Sequence, residues 1–511
     1  MINMENKNKY KVKRIDMAQG AYEVLVNRED AENLGLRVHD RVKVINNLGE
    51  SKTALVDITD TLLSNFEIGA FVELADELKL KDGEEVSLVP TSRPLSIDFI
   101  RKKIYGNSWT KEEIDTIIND IALGNLSEIE LTAYATAVQI NGMTIDEITW
   151  LTLAMVKTGE TIDFETSPIL DIHSIGGVPG NKYALIAIPI VATNGLTIPK
   201  TSSRAISSAA GTADLMETIC NVEQDAQSIK RIAREVGGTL VWGGGVNLAP
   251  VDDDIIRVEY PLSLDPRGQV LASVMAKKKA VGAEYCVIDI PIGEGTKVES
   301  SDEARHLARD FIILGDRIGI KVKCAITYGG QPVGRAIGPA LEVKEALSIL
   351  EGADKPNSII EKALSLAGML LELGGVAGSN RGKEIAKKTL ESGKALEKFR
   401  EIVSAHGGNP SLKADDIELG QYTYDLLSPK CGYIEAIHNR AIVRVARSAG
   451  SPKDKGAGVM LKKKKGERAE EGEPLLTIYA ENKRKIEDAR MLAQKLQPVR
   501  IEGMILEEIV E

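Results

Sequence analysis

Aromatic residues make up only 4% of this 511-residue chain, too few for the stacking platforms on which single-stranded nucleic acids are held. Cysteine is also scarce. Cys220, Cys286, Cys324 and Cys431 lie far apart and form no CxxC pair, which points away from a disulfide framework and towards buried thiols in a reducing compartment. His39, His173, His306, His406 and His438 show no metal-ligand spacing. The longest apolar run, near Ala184–Ala192, contains Pro189 and is too short to cross a bilayer. The N-terminal stretch MINMENKNKYKVKRIDM is charged and has no apolar signal core, so a cytoplasmic protein is expected. Positive charge is in deficit, with 64 Lys and Arg against 75 Asp and Glu and a net charge of -11. That balance argues against nucleic acid or a membrane as partner, and any anionic substrate has to be met by a local cluster.

The chain is long enough for two or three domains, and 43% hydrophobic residues can fill their cores. Residues 1–90 read as a small β-rich, barrel-like module with an internal repeat. Ala31, Leu34, Leu36, Val42 and Val44 correspond at a constant offset to Ala75, Leu78, Leu80, Val86 and Leu88. Each copy is a short helical turn, a polar turn and an alternating strand, and two such halves resemble the pseudo-twofold barrels at the front of some ATPases. A break at 91–94 leads into a helical segment to about 165, rejoined by about 257–282. Capping boxes are expected at Ser127/Glu130 and Thr144/Glu147. From 166 to 410 apolar runs alternate with helix-like stretches, which argues for a largely parallel sheet covered by helices. The runs are Ile169–His173, Tyr183–Ala192, Thr239–Trp242, Cys286–Ile290 and Val322–Thr327; Ser300 caps a helix after the fourth. Residues 411–511 read as an α+β domain, with strands at GYIEAI, AIVRV and EPLLTIY, an amphipathic helix over Asn482–Leu496 and a final strand. The Lys462–Lys465 run reads as a solvated turn.

Two stretches carry chemistry. The first is HSIGGVPGNK, residues 173–182, in which Gly176, Gly177 and Gly180 are able to aim amide N–H groups at an anion and Lys182 adds a full charge. It is not a Walker loop, since the glycine spacing differs and Lys182 is followed by tyrosine. The second is TSSRAISSAAGTADLME, residues 201–217, which packs Ser202, Ser203, Ser207, Ser208 and Thr212 around Arg204. Phosphate oxygens take many directional donors, and a guanidinium adds a bidentate charged fork. Both stretches follow strands, so both are expected at the strands' carboxyl ends.

The second stretch resembles the signature of thymidine and pyrimidine-nucleoside phosphorylases at Ser202, Arg204, Gly211, Thr212, Asp214 and Glu217. The first is similar to that family's Lys-His-Ser-x-Gly-Gly-Val loop. The likeness extends from about 93 to the C-terminus, through NGMT (141–144), NLAP (247–250) and ASVMAKK (272–278). It departs where nucleoside phosphorylases carry a phosphate-contacting lysine, here Ile172, and where they grip a pyrimidine carbonyl with arginine, here near Val258 and beside Arg257. WGGG (242–245), LDPRG (264–268), GQPVGRAIG (330–338) and the N-terminal module instead resemble the archaeal AMP phosphorylase branch.

That resemblance implies the nucleoside phosphorylase class II type of fold, a helical subdomain with an α/β phosphate-binding domain, generally in homodimers or larger homo-oligomers. It implies cleavage of AMP by inorganic phosphate to adenine and ribose 1,5-bisphosphate, with CMP and UMP as further substrates. No metal and no organic cofactor are implied. By position, Asp265 matches the proton donor to the departing base, and partial burial or a nearby phosphate charge is expected to raise its pKa. Gly177, Ser203, Arg204, Ala205, Ile206, Ser207, Ser208 and Thr212 match the lining of the ribose and phosphate pocket. Ser273 and Lys277 match base contacts, and Lys297 a nucleotide contact. Ser174, Lys182 and Ser202 are further phosphate candidates, whereas Lys278 and Lys279 read as solvated surface. Two alternatives stand beside this reading: a nucleoside phosphorylase releasing ribose 1-phosphate, and a nucleotide-binding regulator without catalysis. Anthranilate phosphoribosyltransferases share the general fold, but their acidic metal-diphosphate motifs do not appear here.

Overall fold

The computed structural model describes residues 9–205, 208–352 and 357–503, and they fall into two compact units. The first comprises the chain to Thr158 together with Ala249–Ser273; the second comprises Gly159–Leu248 and the chain from Val274 on.

In the first unit, six strands close a barrel, and its pairing repeats the sequence repeat. Lys9–Ile15 runs parallel to Glu67–Phe71, with Lys11 opposite Glu67. The equivalent pair, Ser51–Thr59 and Glu23–Asn27, sets Leu55 opposite Glu23. Short helices at Arg28–Asn33 and Val72–Glu77 follow equivalent strands. Ala31, Leu36, Val42 and Val44 share one core with Ala75, Leu78, Leu80, Val86 and Leu88, with Leu34 packed at its margin. One pattern written twice therefore closes one barrel, in which neither half leaves a free sheet edge.

Helices Ser96–Ile104, Lys111–Ala122, Glu128–Asn141 and Ile145–Lys157 follow. Ser127 and Glu130 exchange the two hydrogen bonds of a capping box, as do Thr144 and Glu147. Glu147 also takes the buried Lys103 ammonium at 2.8 Å and the Trp109 amide at 2.8 Å. The returning segment adds Pro250–Leu262 and the start of Arg267–Ala280.

The second unit is built on parallel strands. Tyr285–Ile292 lies between Leu170–Ser174 and Lys321–Tyr328, setting Ile288 opposite both His173 and Cys324. A bridge from Ile169 to Thr197 leads to a second parallel pair, Ile198–Ser202 and Gly238–Trp242. Tyr183–Thr193 is a helix with Pro189 inside it rather than a strand. It is apolar on every side because every residue from Tyr183 to Ala192 is buried, and an all-round apolar run has no period by which a strand is told from a helix.

The C-terminal part of this unit corrects one further strand. AIVRV lies in the helix Asn439–Ala449, where Ile442, Val445, Ala446 and Ala449 are buried at helical spacing. Its β-branched residues suggest a strand, but the longer period decides. Strands Gly432–Ile437, Pro474–Ala480 and Val499–Glu502 and the helix Lys483–Leu496, capped by Asn482, stand where expected. Among the described residues no helix is long and apolar enough to cross a membrane.

Candidate functional site

Strand Leu170–Ser174 ends at the glycine loop, and helix Tyr183–Thr193 leaves it. Gly177 has φ 86°, and a Cβ there would stand 2.4 Å from the Lys297 amide nitrogen. Glycine is therefore required both by conformation and by space, and two expected ligands, Gly177 and Lys297, are brought side by side. Lys297 is exposed. Gly180, with φ 73°, comes equally close to the Val333 carbonyl. The Val333 amide donates to the Pro179 carbonyl at 3.0 Å, so the GQPVGRAIG stretch buttresses the loop.

Two buried charge centres hold this loop from below. Asp289 is fully buried and accepts from the Ser174 and Thr327 hydroxyls, both at 2.6 Å, while the Lys362 ammonium lies 2.7 Å away. The Ser174 oxygen in turn accepts from Asn181 at 3.0 Å. The Ser174 proton thus points into the protein. Lys182 requires a correction. It is 0% exposed, ion-paired to Glu345 at 2.5 Å, and donates to the carbonyls of Gly180, Val333 and Ala336. An ammonium has three protons, so none remains for phosphate, and Lys182 is a structural tie.

The hydroxyl loop follows strand Ile198–Ser202. Ile206 and Ser207 lie outside the described residues. Asp214 draws the loop closed, accepting from the Ala205 amide at 2.7 Å and the Gly211 amide at 2.8 Å. A Cβ on Gly211 would stand 2.5 Å from the Ser203 carbonyl, so the loop's ends meet. The Ala205 amide is thereby taken and does not donate to a ligand. The Arg204 guanidinium pairs with Glu217 at 2.5 Å and Glu223 at 2.9 Å and lies 4.3 Å from the Trp242 ring centre. Lys455 completes the group at 2.5 Å from Glu217. These charged groups brace the loop from outside.

The remaining hydroxyls divide. Ser202 donates to the Val241 carbonyl at 3.3 Å and Ser208 to the Ala210 carbonyl at 3.2 Å, while Arg447 holds the Ser208 carbonyl at 3.0 Å. Ser203 is exposed, and Thr212 is half-buried at the first turn of helix Thr212–Met216.

His173 stands where the strand gives way to the glycine loop. Burial first, then the charges of Lys278, Lys200, Lys277 and Lys297, push its pKa well below the usual histidine value, so the imidazole is neutral. The lysines form a local cluster of positive charge in a net acidic chain. Lys278 is a correction: it is 2% exposed and pairs with the buried Asp171 at 2.7 Å. Lys464, expected in a solvated turn, is held by the Gly334 carbonyl at 2.9 Å and also by that of Pro332. Burial lowers its pKa to about 7.

In the first unit, Asp265 lies in the turn between helices Pro250–Leu262 and Arg267–Ala280 and is exposed, so the expected partial burial is not met. Ser273 donates to the buried Asp252 at 2.7 Å, which orients its oxygen. Lys277, half-buried on the same helix, belongs to the second unit.

Asp171, Lys200, Asp289 and Lys362 escaped the sequence reading. The available signal was charge inside apolar strands, as in LDIHS, IPKTS and YCVIDIPI, since a buried charge has to be paired.

Family models match in three places. A glycosyl transferase family helical bundle domain covers residues 97–159, a glycosyl transferase family a/b domain covers 166–253, and a pyrimidine nucleoside phosphorylase C-terminal domain covers 433–499. AMP phosphorylase of Methanococcoides burtonii is 53% identical over 499 residues, 98% of each chain. The chain belongs to the AMP phosphorylase family. The AMP phosphorylase of Thermococcus kodakarensis is 50% identical over 501 residues, 98% of this chain and 99% of its own. Anthranilate phosphoribosyltransferase from Thermus thermophilus matches in fold, with a TM-score of 0.52, 19% identity, and coverage of 61% of this chain and all of that one.

Proposed function

We propose that the protein cleaves nucleoside 5′-monophosphates with inorganic phosphate, AMP giving adenine and ribose 1,5-bisphosphate, with CMP and UMP as further substrates. The observation that carries this reading is likeness to AMP phosphorylases from end to end, at 50–53% identity over 98% of the chain. A phosphate oxygen attacks the anomeric carbon, the carbon–nitrogen bond breaks with its electron pair going to the base, and Asp265 gives the base a proton. Asp265 is exposed, in the turn between the two helices, where an incoming base can reach it.

Gly177, Ser203, Ser207, Ser208, Thr212 and Lys297 hold ribose and phosphates, and Ser273 and Lys277 face the base. The positive charge of Lys277 and Lys297 near His173 supports a site that takes two phosphate groups. A hydrogen bond to a charged group contributes about 1.5–3 kcal/mol, so loss of two with a missing 5′-phosphate costs at least ~100-fold in specificity. We further read the protein as a cytoplasmic homodimer or larger homo-oligomer. The test is incubation with phosphate and, separately, AMP, CMP, UMP and adenosine, with the sugar product identified by mass. Ribose 1,5-bisphosphate from AMP is expected; equal specificity for adenosine, with ribose 1-phosphate as product, overturns the reading.

A further inference from the structure

Lys200 is 4% exposed, on the strand that leads into the hydroxyl loop. Strand alternation sets it on the same side as Ser202, and its nitrogen donates to the Thr201 carbonyl at 2.7 Å. The amine therefore sits at the strand's carboxyl end, at the root of the loop. Lys278 faces it from helix Arg267–Ala280, Asp171 from strand Leu170–Ser174, and Cys286 from strand Tyr285–Ile292. Strand Leu170–Ser174 also carries His173, which burial first and then the charges of Lys278, Lys200, Lys277 and Lys297 keep neutral. Asp171, the carboxylate of this group, is already paired with Lys278 at 2.7 Å, so Lys200 is a second buried lysine beside one ion pair.

We propose that Lys200 is a positioning residue that gains its charge on demand: it takes a proton from solvent as a phosphate dianion enters the adjoining loops, and the Lys278–Asp171 pair sets that response. The inference rests on the phosphorolytic reading above. Burial and the neighbouring Lys278 charge lower Lys200 to about 7, so at slightly alkaline pH the empty protein holds a neutral amine there. A dianion nearby reverses the balance, because an opposite charge at short range favours the ammonium. Without phosphate the site thus avoids a buried ammonium with no carboxylate to itself beside the Lys278–Asp171 pair, and with phosphate it gains an attraction that water screens little.

The decisive measurement is calorimetric titration of inorganic phosphate into the whole protein at about pH 8.5 in two buffers of different ionisation enthalpy. Phosphate is already a dianion there, and a group of pKa about 7 is almost wholly deprotonated. Close to one proton taken up per phosphate is expected, and none in a folded Lys200→Met variant. Binding without uptake by the unaltered protein overturns the proposal, as does full uptake retained by Lys200→Met. Should that variant not fold, the unaltered protein still decides. Its phosphate affinity should weaken by up to about tenfold per pH unit above about 7, and a flat profile overturns the proposal. Should phosphate bind only with AMP, the same dependence is read from kcat/KM for phosphate. Proton uptake without AMP cleavage would sink the substrate assignment and leave Lys200 standing; AMP cleavage with a flat phosphate profile would do the reverse.

Discussion

The glycine loop at 175–182 and the hydroxyl loop at 203–211 leave the carboxyl ends of parallel strands and use the same small residues, yet they are held in different ways. Beneath the glycine loop lie fully buried charges, Lys182 with Glu345 and Lys362 with Asp289. The hydroxyl loop is closed by one buried carboxylate, Asp214, and braced outside by the half-exposed Arg204, Glu217 and Lys455 group. A buried ion pair is costly to break because the remaining charge has nowhere to go, whereas a half-exposed pair is largely replaced by water. The glycine loop is therefore the stiff wall of the site and the hydroxyl loop the one whose support is open to change.

The largest expected effect is at Lys182. Lys182→Met leaves Glu345 buried and unpaired and should cost about 3–5 kcal/mol, measured as loss of stability in denaturant. A smaller loss would mean that the glycine loop is not the stiffer of the two. Next comes Glu342, which burial raises to about 7 against the pull of Lys182. Between about pH 4.5 and 7 the unfolded chain ionises this group while the folded protein does not. Its contribution is complete below about 4.5 and is lost as pH rises through about 7, by about 3 kcal/mol at most. Thermal melts of Glu342→Gln across that range should lack this decline, and parallel curves for both proteins would contradict the assignment.

Asp214→Ala should cost about 2–3 kcal/mol through the lost amide hydrogen bonds and raise KM for phosphate as the hydroxyl loop opens. An unchanged KM would show that the loop keeps its shape without this carboxylate. The smallest effect is expected at Arg204, about a third exposed and paired near the surface. Arg204→Ala should cost less than about 1 kcal/mol and change turnover of AMP and adenosine in parallel. A loss confined to AMP would instead place Arg204 on the 5′-phosphate.

Much of the first unit was legible because local patterns carry it. The repeat of Ala31 to Val44 in Ala75 to Leu88 specifies two copies of one burial pattern, and a barrel is how such copies bury each other's faces. The capping boxes at Ser127 and Thr144 are complete within four residues. The helix over Tyr183–Thr193 was not legible, because complete burial erases the amphipathic period that marks a helix.

The sequence by itself determined that two loops rich in glycine and hydroxyls follow parallel strands, with lysines to hand. It did not determine which of its cations face the ligand and which the protein. Lys182 carries its charge in a loop that looks like an anion site and Lys278 in a helix that reads as solvated surface, yet their partners Glu345 and Asp171 come from elsewhere in the chain, 163 and 107 residues away. Only the fold brings those two carboxylates within 3 Å, and in a dry interior the nearest opposite charge claims the cation.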